Sequence, residues 1–136
     1  MKFLLDTNVV SELFKKQPEP KVSSWLKEAD QDSLFLSVLT LGEIRKGIEK
    51  MDQGSRKARL VQFLEKDVPA QFEERILPVD FEVAETWGLL EAHSSRPLPT
   101  VDALLAATAL THNLTLVTRN TQDFSFSHLK ILNPWE

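Results

Sequence analysis

Apolar residues along this chain gather in short unbroken runs, separated by longer stretches in which they recur at helical spacing. Phe3-Leu4-Leu5, Leu34-Phe35-Leu36-Ser37-Val38 and Leu114-Thr115-Leu116-Val117-Thr118 lack the alternation of a half-solvated strand, so each reads as a strand buried on both faces. Ile76-Leu77-Pro78-Val79 and Lys130-Ile131-Leu132 complete the set, and Pro78 assigns its run to a sheet edge or a strand end. Between them, Thr7 to Lys16 carries Val9, Val10, Leu13 and Phe14 on one side, and Lys21 to Ala29 carries Val22, Trp25 and Leu26. Further helices are predicted from Leu39 to Met51, from Ser55 to Phe72 after a break at Gly54, and from Phe81 to Ala92. Pro69 is expected to end the regular part of the fourth helix early, because it lacks an N–H and clashes with the preceding turn. Val101 to Thr111 is apolar nearly all round and is expected to be pressed against the sheet. Strands alternating with helices predict an α/β chain with a central, mainly parallel, helix-covered sheet.

Composition narrows this picture in a few respects. With 136 residues, 42% hydrophobic and 26% charged, the chain is expected to form one domain over residues 1–136. No run approaches the length of a membrane span, and the opening reads as a strand of the fold rather than a leader. The absence of cysteine excludes disulfides and thiolate metal sites and suits a reducing, cytoplasmic setting. A net charge of −4 argues against a passive nucleic-acid binder. The cations are concentrated, however. Arg45, Lys46, Lys50, Arg56, Lys57 and Arg59 are opposed within their segment only by Glu49 and Asp52. Most of these fit a solvated helix face with i,i+4 pairs, and a phosphate-tracking patch is the second reading.

The acids carry the candidate chemistry. Asp6 follows the first strand, Glu43 opens the helix after the second, Asp102 opens the buried helix, and Asp123 follows the Leu114–Thr118 strand. Each has a plainer explanation. Asp6 would cap the helix at Thr7, Glu43 would close a capping box with Thr40, and Asp102 would meet the dipole of a helix capped by Thr100. Asp123 would be a turn residue, with Asn120 its rival as a ligand. Taken together, the four stand after buried strands or at helix starts that face one edge of the sheet, where open α/β sheets bind ligands. Asp102 is also the lone charge between Arg96 and Arg119, on a helix that needs its polar groups partnered. Two carboxylates about 4 Å apart repel by roughly 4 kcal/mol at an effective dielectric near 20, so such a cluster takes up protons or a cation. Oxygen ligands without His or Cys select Mg²⁺ or Mn²⁺, and a carboxylate-held ion of that kind suits phosphodiester hydrolysis.

Competing sites are weak. His93, His112 and His128 show no ligand spacing, no glycine-rich phosphate loop is present, and Asn8 stands where an aspartyl phosphotransferase has its second Asp. Trp25, Trp87 and Trp135 read as core or interface anchors.

Leu5-Asp6-Thr7-Asn8-Val9-Val10-Ser11-Glu12, Leu41-Gly42-Glu43-Ile44-x-x-Gly47, Asp102-x-Leu104-x-Ala106-Ala107-x-Ala109 and Leu116-Val117-Thr118-Arg119-Asn120-x-x-Asp123-Phe124 resemble, in order and spacing, the PIN-domain nucleases. The similarity is greatest to VapC-type toxins and their FitB-like relatives. It implies a PIN-like three-layer fold and an acidic site of Asp6, Glu43, Asp102 and Asp123 holding Mg²⁺ or Mn²⁺. Asp6 and Asp102 would be the principal ligands, with Glu43 and Asp123 acting directly or through waters. Thr7, Asn8, Thr118 and Asn120 would supply hydrogen bonds that hold the carboxylates. The resemblance further implies endonucleolytic cleavage of RNA, a homodimer, and silencing by a VapB-like antitoxin whose other end binds operator DNA. Two alternatives stand beside it: a FitB-like partner subunit of a DNA-bound regulatory complex with little nuclease activity, and a DNA-directed nuclease of the same broad fold.

Overall fold

The computed structural model describes residues 1–125 and 128–136. Five strands form one sheet: β1 (Phe3–Leu5), β2 (Leu34–Ser37), β3 (Ile76–Leu77), β4 (Thr115–Val117) and β5 (Ile131–Leu132). Their spatial order is β3-β2-β1-β4-β5, and every neighbouring pair is parallel. The register aligns Phe3 with Leu34 on one side of β1, and Leu4 with Leu116 and Leu5 with Val117 on the other. From β1 the chain builds outward through β2 to β3, then crosses back to lay β4 on the other flank of β1. The point at which strand order reverses therefore lies between β1 and β4, and the crevice beyond their carboxyl ends is the expected ligand position.

Side-chain alternation along these strands divides the core in two. Leu5, Leu34, Leu36 and Val117 face one layer, packed by Val9 and Val10 of α1 (Thr7–Glu12), Val22 and Leu26 of α2 (Pro20–Glu28) and Ile44 and Ile48 of α3 (Val38–Glu49). Leu60 of α4 (Ser55–Gln62) and Val68 and Phe72 of α5 (Val68–Phe72) complete that layer. Leu4, Leu77 and Leu116 face the opposite layer, where Leu105, Ala106 and Ala109 of α7 (Thr100–Thr111) pack, with Leu90 of α6 (Phe81–His93) beside them. This is the three-layer arrangement expected from the sequence, and β3 occupies the edge that Pro78 requires.

Two elements depart from the helical periodicity. Regular α1 ends at Glu12, not Lys16, because the Glu12 carboxylate folds back to accept the Glu19 N–H at 2.7 Å and pairs with Lys15 at 2.9 Å. The local side-chain bonds there replace a further helical turn. Pro69 does not end the helix that starts after Gly54. A π turn over Phe63–Asp67 widens the backbone spacing, the Val68 N–H reaches Phe63 O, and Pro69 falls in the first turn of α5, where a missing N–H costs nothing.

Candidate active site

Asp6 is delivered by β1 and stops at the switch point. Its own N–H donates to Val117 O at 2.9 Å, which continues the β1–β4 ladder one residue beyond the strand. Its side chain then turns into the first turn of α1 and accepts the Thr7 N–H at 2.7 Å. Capping is therefore real, and it uses only one carboxylate oxygen. The other, Oδ2, accepts the Thr118 hydroxyl at 2.7 Å and lies 3.5 Å from Asn8 Nδ2. Thr118 follows β4, is fully buried, and in turn accepts the Asn120 N–H at 3.0 Å. The loop after β4 is also tied to α1 by the Arg119 N–H, which donates to Asn8 Oδ1 at 3.4 Å. The two central strands thus hold one carboxylate between them, 8% exposed.

Glu43 does not close a capping box. Ser37 is the N-cap of α3 and accepts the Leu39 N–H at 3.0 Å, so Thr40 lies inside the helix with its hydroxyl buried and unpartnered. Glu43, one turn into α3 and exposed, instead accepts the Thr7 hydroxyl at 2.6 Å. Thr100 is likewise not a cap. It is the first helical residue of α7, after Pro99, and makes no capping bond. Asp102 then sits in the first turn of α7, half-buried, ahead of the enclosed run at residues 105–109. Asp123 lies exposed in a 3₁₀ turn over Thr121–Phe124, its N–H bonded to Asn120 O at 3.0 Å.

Electrostatics connect these four acids. The Asp6 carboxyl is pushed above the usual carboxylate range, first by burial and then by the charges of Glu43 and Asp123, while Thr118 and the Thr7 N–H pull it back. Asp102 is pushed up first by burial and then by Asp6, Asp123 and Glu43 in turn. Each of the two least exposed acids feels all or most of the others, so their charges share one region at the carboxyl ends of β1, β2 and β4. Such a region is relieved by protons or by a cation.

The donor set fits a hard divalent ion. All the candidate donors are oxygens, as Mg²⁺ and Mn²⁺ prefer. Among the described residues no group of three or more histidine, aspartate or glutamate side chains is close enough together to hold a metal ion. The three histidines lie exposed and contribute no ligand there. Trp25 packs edge-on against Phe3, with centroids 5.0 Å apart, and Trp135 carries the Arg119 guanidinium on its ring at 5.3 Å. The Thr7–Glu43 bond joins α1 to α3, and such a contact has no local signature along the chain.

Comparison with known proteins follows the same lines. The PIN domain family model matches residues 3–131. The VapC ribonuclease Y4jK of Sinorhizobium fredii is 35% identical over 136 residues, spanning 98% of this chain and 97% of that protein. Toxin FitB of Neisseria gonorrhoeae is 35% identical over 135 residues, spanning 97% of each. Among solved structures, FitAB bound to an IR36 DNA fragment contains a chain that superposes with a TM-score of 0.91 at 33% identity, covering 98% of this chain and 96% of that one.

Proposed function

This chain belongs to the PIN-domain family, and on that premise we propose that it is a metal-dependent endoribonuclease, the toxin of a toxin–antitoxin pair. The observation that carries the reading is the placement of Asp6. A carboxylate buried at the switch point between β1 and β4, fixed by Thr118 and exposed to the charges of Glu43 and Asp123, is costly unless it has chemical work to do. Asp6 and Asp102 would be the principal ligands of Mg²⁺ or Mn²⁺, and Glu43 and Asp123 would complete the site, directly or through waters. A divalent ion held by these carboxylates would supply water activation and charge neutralisation on a phosphate under in-line attack. Thr118 keeps Asp6 Oδ2 oriented, the Thr7 N–H keeps Oδ1 oriented, and the Thr7 hydroxyl restrains Glu43. Thr7 therefore couples two of the acids, through its backbone to one and through its side chain to the other. Asn8 and Asn120 hold the loop that carries Thr118.

The relatives named VapC ribonuclease and toxin FitB support the activity, and the FitAB–DNA structure supports the partner. The partner is a VapB-like antitoxin whose other end binds operator DNA, and the chain acts as a homodimer in the cytoplasm. Phe81 and Leu89 on α6, 78% and 62% exposed, supply apolar surface for contact with another chain. Among the described residues, no helix is long and apolar enough to cross a membrane. The test is cleavage of total RNA by the purified chain with Mg²⁺ or Mn²⁺ and with chelator. Asp6→Ala and Asp102→Asn are expected to abolish cleavage while the circular dichroism of the fold is retained. Full cleavage by either variant, free of contaminating nuclease, would overturn the proposal.

A further inference from the structure

The cationic segment after Glu43 divides once it is folded. Arg45 points away from the acids and is fully engaged, pairing with Glu65 at 2.8 Å and Glu49 at 3.7 Å. Lys46 and Lys50 make no ion pair among the described residues and lie exposed. They share an open cleft of about 600 Å³ with Thr7, Glu43 and Val101. One wall of this cleft is α3 and another is the start of α7, next to Asp102, so it runs directly out of the acidic site. Glu43, Lys46 and Lys50 follow i, i+3, i+7 spacing and form one face of α3, with Lys50 about 10 Å along the axis from Glu43.

Lys46 lies in the last turn of α3 and Lys50 caps it, where cations favour the helix dipole, but the two are four residues apart and like charges at that spacing oppose the gain. The ion-pairing of α3 is done on the other side, by Arg45. Within the cleft, Gly42 and Gly47 leave the helix backbone bare, and an added Cβ at either would meet nothing within 4 Å. Val38 and Val101, 41% and 39% exposed, offer apolar contacts in the same cleft. Two unpaired ammonium groups, a bare backbone and exposed methyls, leading away from a site that cuts phosphodiesters, match the chemistry of a single nucleic-acid strand.

We propose that the cleft along α3 is the path of the substrate RNA strand, with Lys46 and Lys50 contacting phosphates successively farther from the scissile one. The proposal rests on the ribonuclease reading for the position of that phosphate, and it adds the direction in which the strand runs. It also resolves the acidity of the chain as a whole: cations sit where the strand lies, and acids sit where it is cut.

The test is binding of a fluorescent single-stranded RNA oligonucleotide as a function of salt, with Lys46→Ala/Lys50→Ala compared against the unaltered face. Both proteins carry Asp102→Asn, so that the strand is bound and not cut. Losing two phosphate contacts on a single strand is expected to flatten the slope of log K against log salt by about 1.4, at roughly 0.7 per contact. Lys46→Arg/Lys50→Arg is expected to restore the slope. In the active protein, the alanine pair should raise KM for the oligonucleotide with kcat held, and leave a dinucleotide substrate unaffected. An unchanged slope, or absence of RNA binding to the protein with the unaltered face, overturns the path. A flattened slope in a protein that never cleaves RNA would instead overturn the ribonuclease reading and leave the binding cleft standing. An unchanged slope in a protein that cleaves RNA would do the reverse.

Discussion

Thr118→Val isolates the device that holds Asp6. The substitution keeps the branched shape in a fully buried position and removes the hydroxyl, which also accepts the Asn120 N–H at 3.0 Å, so the loop after β4 loses a tie as well. The part of the cost that the pH profile reads falls on Asp6, whose Oδ2 loses its 2.7 Å donor. A hydrogen bond to an ionised group contributes about 1.5–3 kcal/mol, and one pKa unit corresponds to about 1.4 kcal/mol. The Asp6 carboxyl, already raised by burial, should therefore rise further. Only the ionised carboxylate holds a divalent cation, so a higher value means that activity fails at a higher pH. In a pH profile of kcat/KM for RNA cleavage at fixed excess metal, the acid limb should move up by about 1–2 units. The metal midpoint near neutral pH should weaken by about 10–100-fold, as it does when a group holding a ligand in place is removed. Thr118→Ser, which retains the donor, should return both to the original values. An acid limb unmoved in Thr118→Val would refute the account of Asp6 as a carboxylate whose charge is maintained by that hydroxyl.

Other outcomes follow from the same contacts. Asp102 has a folded-state pKa raised above its unfolded value, so its contribution to stability is complete below the ordinary carboxylate range and is lost as pH rises through the folded value. Asp102→Asn should accordingly raise the melting temperature of the metal-free protein at pH 7, with the gain disappearing in acid. Mg²⁺ should raise the melting temperature of the parent protein and leave that of the variant unchanged. Thr7→Val removes the 2.6 Å bond to Glu43 and keeps the N–H that caps Asp6, so cleavage should fall about 10–100-fold with the fold intact by circular dichroism. Glu12→Ala leaves the Glu19 N–H without its acceptor and should cost about 1–3 kcal/mol in urea denaturation. Glu12 is held below the usual range by the Glu19 N–H and Lys15, so its contribution is present above the ordinary glutamate value and is lost as pH falls through the folded one. The difference between parent and Glu12→Ala should therefore shrink in acid.

The layers of the fold were legible because the apolar runs at Phe3, Leu34 and Leu114 are too continuous for one-sided strands, and the Val101–Thr111 stretch is too apolar for a surface helix. Caps were less legible. Thr40-x-x-Glu43 has the sequence of a capping box, yet Ser37 caps three residues earlier, because β2 runs into α3 without an intervening loop. Pro69 misleads for a related reason: one inserted residue in a π turn shifts the helix enough to admit it, and no sequence rule reports that shift. Within the candidate site, the positions of the acids relative to strand ends could be read along the chain. The bonds that orient them, from Thr118 to Asp6 and from Thr7 to Glu43, depend on strand order, which sequence periodicity does not contain. The division of Arg45 from Lys46 and Lys50 was present as spacing, but it acquired meaning only when the far side of α3 was seen to be paired.

The bond between Asp6 and Thr118 joins residues 112 positions apart. During synthesis Asp6 emerges among the first residues and can find its cap at once, because Thr7 is its neighbour. Thr118 and the strand before it come only after β2, β3 and helices α1 to α7 have been made. Until β4 docks beside β1, Asp6 has its cap but not the Thr118 donor. On the proposed reading, the nascent chain is a nuclease made in close company with the ribosome and its RNA, its chemistry withheld until the last third of the chain closes over the first few residues.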